Sequence, residues 1–259
     1  MNIRSLAAAA EIGLMIFFTQ GLAAEAAEVK VIAATPMTAV IKELGSQFER
    51  DTGHKLVTKF TSGPIVKQEI DAGETFDVAV SITPVIDDLV KEGKIVAATR
   101  ADVAYAGVGV GVRAGAPKPD ISTVEAFKRA LLNAKSVAHS KTGASGTYFK
   151  RLLEHLGISG EMKPKLRPMP AETIAQAVPS GEAEMIVVTT SVIVMGGAEL
   201  VGPVPLELQF YNRFAAGVGA RAKEAEAAKA LVKFLTAPVA GPVLKANGME
   251  PGIPPEGPK

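Results

Sequence analysis

Apolar and polar positions alternate along this chain with two periods, and the period switches repeatedly. Val29 to Ala34 is a short, mainly apolar stretch of strand length, and Thr35-Pro36-Met37-Thr38 turns out of it. Val40, Ile41, Leu44 and Phe48 then recur at helical spacing, and Gly53 ends that helix. The same sequence of events repeats. Lys55 to Thr61 reads as a strand, Thr61-Ser62-Gly63-Pro64 opens a helix with Ile65, Val66 and Ile70 inward, and Phe76 to Ser81 leads to a helix from Pro84 to about Lys91. Strands alternating with helices predict parallel sheet covered by helices.

Two longer stretches break this rhythm. Val103 to Arg113 alternates Val with small residues and exceeds the usual strand of about 5–6 residues. Leu206 to Ala220 is a second extended stretch, followed by helices over 222–236 and 238 to about 246. Between them a second series is expected: strands at 136–140, 165–169 and 185–190, helices near 123–133, 145–156 and 171–178. The pattern predicts an α/β protein of two lobes joined by a hinge of two extended crossovers. The first lobe takes residues 28–107 plus 208–259, and the second, inserted lobe takes 108–207.

Ahead of this region stands Met1-Asn2-Ile3-Arg4, then an apolar stretch interrupted by Glu11 and containing Leu14 to Phe18. Small residues follow at Ala23-Ala24 and Ala26-Ala27. A positive start, an apolar middle and a small-residue end are the parts of a cleaved secretion signal, read here as residues 1–27. The apolar stretch is too short and too interrupted for a membrane span, which needs about 20 apolar residues. A periplasmic location is expected.

Composition narrows the function classes. The 28 Lys and Arg nearly cancel 27 Asp and Glu, leaving a formal net charge of +1 without a block of like charge. No basic face is set aside for phosphates, so no nucleic-acid partner is expected. Cys is absent and the three His are scattered, which leaves no thiolate ligands and no zinc spacing. No Walker sequence, no GxGxxG after the first strand and no GxSxG nucleophile elbow occurs, so no cofactor or metal is expected. The chain is expected to be a monomer with a small anionic ligand.

In open parallel sheets ligands bind at the carboxyl ends of strands, where helix N-termini present free N–H groups and partial positive charge. Five loops occupy such positions, and all carry Ser or Thr. They supply the candidate ligand contacts: Thr35 and Thr38 in the first, Thr61, Ser62 and Gly63 in the second, Ser145, Gly146 and Thr147 in the Gly143 loop, Thr173 in the fourth, and Thr189 and Thr190 in the fifth. The same residue types also serve as helix caps. Lys67, Lys141 and Arg213 are candidate anion clamps, or ordinary surface charges. His139 ends a strand just before the Gly143 loop; it is either a core imidazole or a base facing the cleft.

The segments VIAATPMTAVIKELGSQFERDTG, KFTSGPIVKQEIDAGETFDVAVS, GASGTYFKRLLEHLGI, PSGEAEMIVVTTSV and AAKALVKFLTAPVAGPVLKANGMEPG occur in this order. Together they resemble the molybdate-binding-protein family of periplasmic solute receptors. The resemblance implies a type II periplasmic-binding-protein fold, an oxyanion held by hydroxyls and backbone N–H groups of four or five loops, and an ABC importer permease as partner. At three ligand positions the chain departs from the family: Pro36 and Gly63 stand where a binding Ser is usual, and Thr189 stands for a Tyr. Weak molybdate binding, or none, is therefore expected. The chain also resembles the periplasmic aconitate isomerases built on this fold. That resemblance implies an alternative function, cis–trans isomerisation of aconitate, with His139 as the candidate base.

Overall fold

The computed structural model describes residues 26–254, so the expected signal, apart from its last two residues, lies outside the described region. Among the described residues ten strands are paired: eight follow one hydrogen-bonded path, in the order β2 (Lys55–Thr61), β1 (Glu28–Ala34), β3 (Val78–Ile82), β9 (Tyr211–Val218), β4 (Ala101–Val112), β7 (Met185–Thr189), β5 (Val137–Ser140) and β6 (Leu166–Met169), and β8 (Glu199–Pro203) and β10 (Glu250–Pro251) pair with β4. β1 (Glu28–Ala34) and β2 (Lys55–Thr61) run parallel in a seven-residue register that sets Ala34 opposite Thr61. Their carboxyl ends are therefore level, and the loops that follow emerge side by side. β3 (Val78–Ile82) is parallel to β1, and β9 (Tyr211–Val218) returns antiparallel beside β3.

β4 (Ala101–Val112) is the long strand that the sequence predicts. Its first part pairs with β9 as far as Gly107 and with β10 (Glu250–Pro251). From Val108 onward its partners are β7 (Met185–Thr189) and β8 (Glu199–Pro203). β5 (Val137–Ser140) joins β7 and β6 (Leu166–Met169) in parallel. The cores divide at the same place. Phe48, Val80, Phe214 and Leu231 pack with their neighbours on one side, whereas Phe127, Val137, Phe149 and Val187 pack on the other.

Three helices matter most for the site. α1 (Thr38–Thr52) follows a 3-10 turn at Thr35–Met37 and buries Val40, Ile41, Leu44 and Phe48, the stripe read from the sequence. Gly53 closes it at φ 78°, a left-handed position that glycine takes without side-chain strain. α2 (Gly63–Asp71) starts with Pro64 in its first turn, where a missing N–H costs nothing. β4 divides the path into a first sheet, with β1, β2, β3, β9 and β10, and a second, with β5 to β8; α3 (Thr83–Lys91) packs on the first, α4 (Val124–Asn133) on the second, and α5 (Ala144–His155) starts shortly after β5.

Four expectations change. The helix expected at 171–178 is only a 3-10 turn, Ile174–Gln176, because Pro170 and Pro179 bracket the segment and Pro179 disfavours helical backbone at Val178. Of the extended stretch expected from Leu206, the first part is a 3-10 turn, Leu206–Leu208, behind Pro205. α6 (Ser159–Met162), a single turn, and β8 were not anticipated. α7 (Thr190–Met195) begins at the last residue of the strand expected at 185–190. α8 (Ala225–Leu235) and α9 (Ala240–Ala246) are the two C-terminal helices. Among the described residues no single helix is long and apolar enough to cross a membrane.

Candidate functional site

The loops after β1 and β2 meet the loops after β5 and β7 across a small cavity of about 40 Å³. From the first sheet come Thr35, Pro36, Ser62, Gly63, Asn212 and Phe214. From the second come Ser140, Gly143, Ser145, Ile174, Thr189 and Val192. None of the residues lining it carries an ionisable side chain. The polar surface consists of hydroxyls, one carboxamide and the backbone at the N-termini of α2 and α5. The first N–H groups of a helix have no intrahelical acceptor and lie at the positive end of its dipole.

The hydroxyls are held in defined settings. Thr35 Oγ1 donates to the Thr61 carbonyl at 3.0 Å, so Thr35 has spent its proton within the wall. Ser140 Oγ accepts the Gly143 N–H at 2.9 Å. Asn212 Nδ2 donates to Thr189 Oγ1 at 2.7 Å, and Thr142 Oγ1 donates to Ser62 Oγ at 3.0 Å. The last two contacts tie the first sheet to the second. Ser62, Ser145 and Thr189 line the cavity and are only 4%, 4% and 1% exposed to bulk water.

Five of the fourteen candidate ligand contacts come together here: Thr35, Ser62, Gly63, Ser145 and Thr189. The rest lie outside the wall, each for a visible reason. Thr38 sits half-buried in the first turn of α1, and Thr61 contributes its carbonyl to Thr35. Lys67 lies one helical turn, about 6 Å, beyond Gly63, where it bonds Asp71 at 2.9 Å and Glu92 at 2.6 Å. These partners hold its ammonium pKa above the usual range, chiefly through the Glu92 hydrogen bond. Lys141 and Thr173 are exposed in their loops and Thr147 is exposed in the first turn of α5, and none of the three lines the cavity. Gly146 packs on the backbone of β5: a Cβ there would lie 1.8 Å from the Ser140 carbonyl oxygen. Thr190 Oγ1 donates to the Gly248 carbonyl at 2.8 Å. Arg213 alternates with Asn212 and Phe214 along β9, and so points to the opposite face, 3.9 Å from Asp102.

His139 meets the same rule. Ser140 faces the cavity, so its neighbour on the strand faces away. His139 is 1% exposed, packs 5.8 Å from the Phe149 ring and donates from Nδ1 to the Ser140 carbonyl at 3.0 Å. Burial pushes its pKa below the ordinary value. It is a neutral core imidazole outside the cavity wall, and the candidate base is not where proton transfer in this cavity would need it.

Sequence reasoning missed Ser140, Asn212, Ile174 and Phe214. For Asn212 and Phe214 a signal existed: a polar residue and an aromatic two apart in an apolar strand share one face.

Known proteins bear on this geometry in two ways. Residues 29–250 match the family described as bacterial extracellular solute-binding protein. The molybdate-binding protein ModA of Azotobacter vinelandii is 34% identical over 235 residues, 87% of this chain and 91% of its own length. An aconitate isomerase of Pseudomonas sp is 29% identical over 85% of this chain and 87% of its own. Among solved structures, the Azotobacter vinelandii periplasmic molybdate-binding protein superposes with a TM-score of 0.74 at 20% identity, covering 88% of this chain and all of the other. The sheet order, the loops at the level strand ends and these matches agree: the chain belongs to the bacterial extracellular solute-binding proteins, in their molybdate-binding-protein-like branch.

Proposed function

We propose that this protein is a periplasmic receptor that closes two lobes around a small anion, an oxyanion or a compact carboxylate, and delivers it to an ABC importer. The observation that carries this reading is the cavity wall. Hydroxyls and helix N-termini from both sheets surround the space without a single ionisable side chain, an arrangement that suits a charge neutralised by dipoles and hydrogen bonds. The lobes are residues 28–107 with 208–259, and 108–207; the secretion signal is residues 1–27. Thr35, Ser62, Gly63, Ser145 and Thr189 are proposed ligand contacts. A thermal-shift panel of oxyanions, dicarboxylates and tricarboxylates tests the reading. A ligand at a hundred times its dissociation constant should stabilise by about 2.7 kcal/mol. Molybdate should be a weak member of that panel, because Pro36 and Gly63 offer no hydroxyl. Submicromolar molybdate affinity by calorimetry would overturn that point.

A second reading follows the identity to the Pseudomonas isomerase. Moving a double bond through a proton shift requires a group that takes a proton from carbon and returns it. The hydroxyls and amides of this wall titrate far from neutral pH, and His139 lies behind it. The receptor reading is favoured on that ground.

A further inference from the structure

We propose that Ser140 is a ligand-binding residue that donates its hydroxyl proton to an oxygen of the bound anion. The inference rests on the receptor reading and deepens it, since it assigns a contact that the Ser and Thr of the loops do not reveal. Ser140 is the last residue of β5 rather than a loop residue, and it is 7% exposed and lines the cavity. Its Oγ accepts a hydrogen bond from the backbone N–H of Gly143. A backbone amide can only donate, so the direction of this bond is fixed, and the serine proton is left to point elsewhere. Ser145, at 4% exposure, is another buried hydroxyl lining the same space.

The chain is also shaped to keep Ser140 in place. A Cβ at Gly143 would come within 2.6 Å of Ser140 Oγ, and one at Gly146 within 1.8 Å of its carbonyl oxygen. Two glycines thus let the loop and the first turn of α5 wrap closely around this serine. The His139 ring holds the same carbonyl from behind. The cavity offers no carboxylate to take the serine proton. The Ser140 proton thus needs an acceptor, and on the receptor reading that acceptor is an unprotonated oxygen of the bound anion.

The test is calorimetry on wild type, Ser140→Ala and Ser140→Asp with the tightest binder among molybdate, sulfate, phosphate, citrate and trans-aconitate, beside melting curves without ligand. Ser140→Ala should weaken binding by roughly 10- to 100-fold, the loss expected for a hydrogen bond to a charged group. Ser140→Asp still accepts the Gly143 N–H, so the loop stays supported, yet it cannot donate and brings a negative charge. Its binding should fall below detection while its ligand-free melting stays near that of wild type. Wild-type affinity in either variant would overturn the assignment and leave the receptor reading intact. No binding of any of the five anions by wild type would overturn both.

Discussion

At His139 and Ser140 one step along a strand separates a core residue from a cavity residue. His139 is buried against Phe149 and its pKa is lowered, first by burial and then by the Lys150 charge, against the opposing Ser140 carbonyl. The unfolded chain therefore binds a proton more readily than the folded one. Stability owed to this histidine is complete above the unfolded value near 6.5 and is lost as pH falls through the folded value. Urea unfolding of wild type and His139→Gln at pH 8 and pH 5 should show a smaller acid loss in the variant. Equal losses would mean that His139 is not the group responsible. The strand and the glycine loop were legible in the sequence, because Ser136 to Ser140 has strand length with Val137 and Ala138 at its centre and Gly143 follows. Which face each residue takes was not legible: Val137-Ala138-His139-Ser140 is buried throughout, so no alternation marks its phase. Along β9 the alternation was present, and Arg213 could have been set aside in favour of Asn212.

Elements, more than single side chains, bring the wall together. β5 and α5 approach so closely that Gly146 leaves no room for a side chain, and their contact places Ser140 and Ser145 together in the wall. Gly146→Ala should cost about 1–3 kcal/mol, the usual range for overpacking, and should weaken ligand binding as well, since α5 must shift. Denaturant unfolding and calorimetry check both; an unchanged stability would show that the approach is looser than described. Helices with an apolar stripe, such as α1, were legible because their periodicity is local. The segment 171–178 was misread because its apolar spacing is helical while its bounding prolines are not compatible with a helix. α7 was missed because Val192, Ile193 and Val194 are β-branched and suit a strand equally well; only its packing under β4 decides.

The whole molecule is organised around β4 and the return into β9. At the point where β4 changes partners, Gln209 Oε1 accepts the Val108 N–H at 2.8 Å and the Phe210 N–H at 2.9 Å, joining the two crossovers. Rotation about residues near Gly107 and Phe210 would open the cavity by separating Thr142 from Ser62 and Gly248 from Thr190. Small-angle scattering should show a smaller radius of gyration when a ligand found by thermal shift is present at saturation. An unchanged radius, with binding established separately, would argue against hinge closure. On the receptor reading the protein holds a small anion without chemically changing it. The most direct test of that reading is to incubate the purified protein with cis-aconitate, trans-aconitate and each oxyanion bound in the thermal-shift panel, and to measure binding by calorimetry and the recovered ligand by chromatography. A receptor of this kind gives saturable, reversible binding of at least one anion, which is recovered unchanged. Catalytic conversion of cis- to trans-aconitate, above the rate without protein, would contradict the receptor reading.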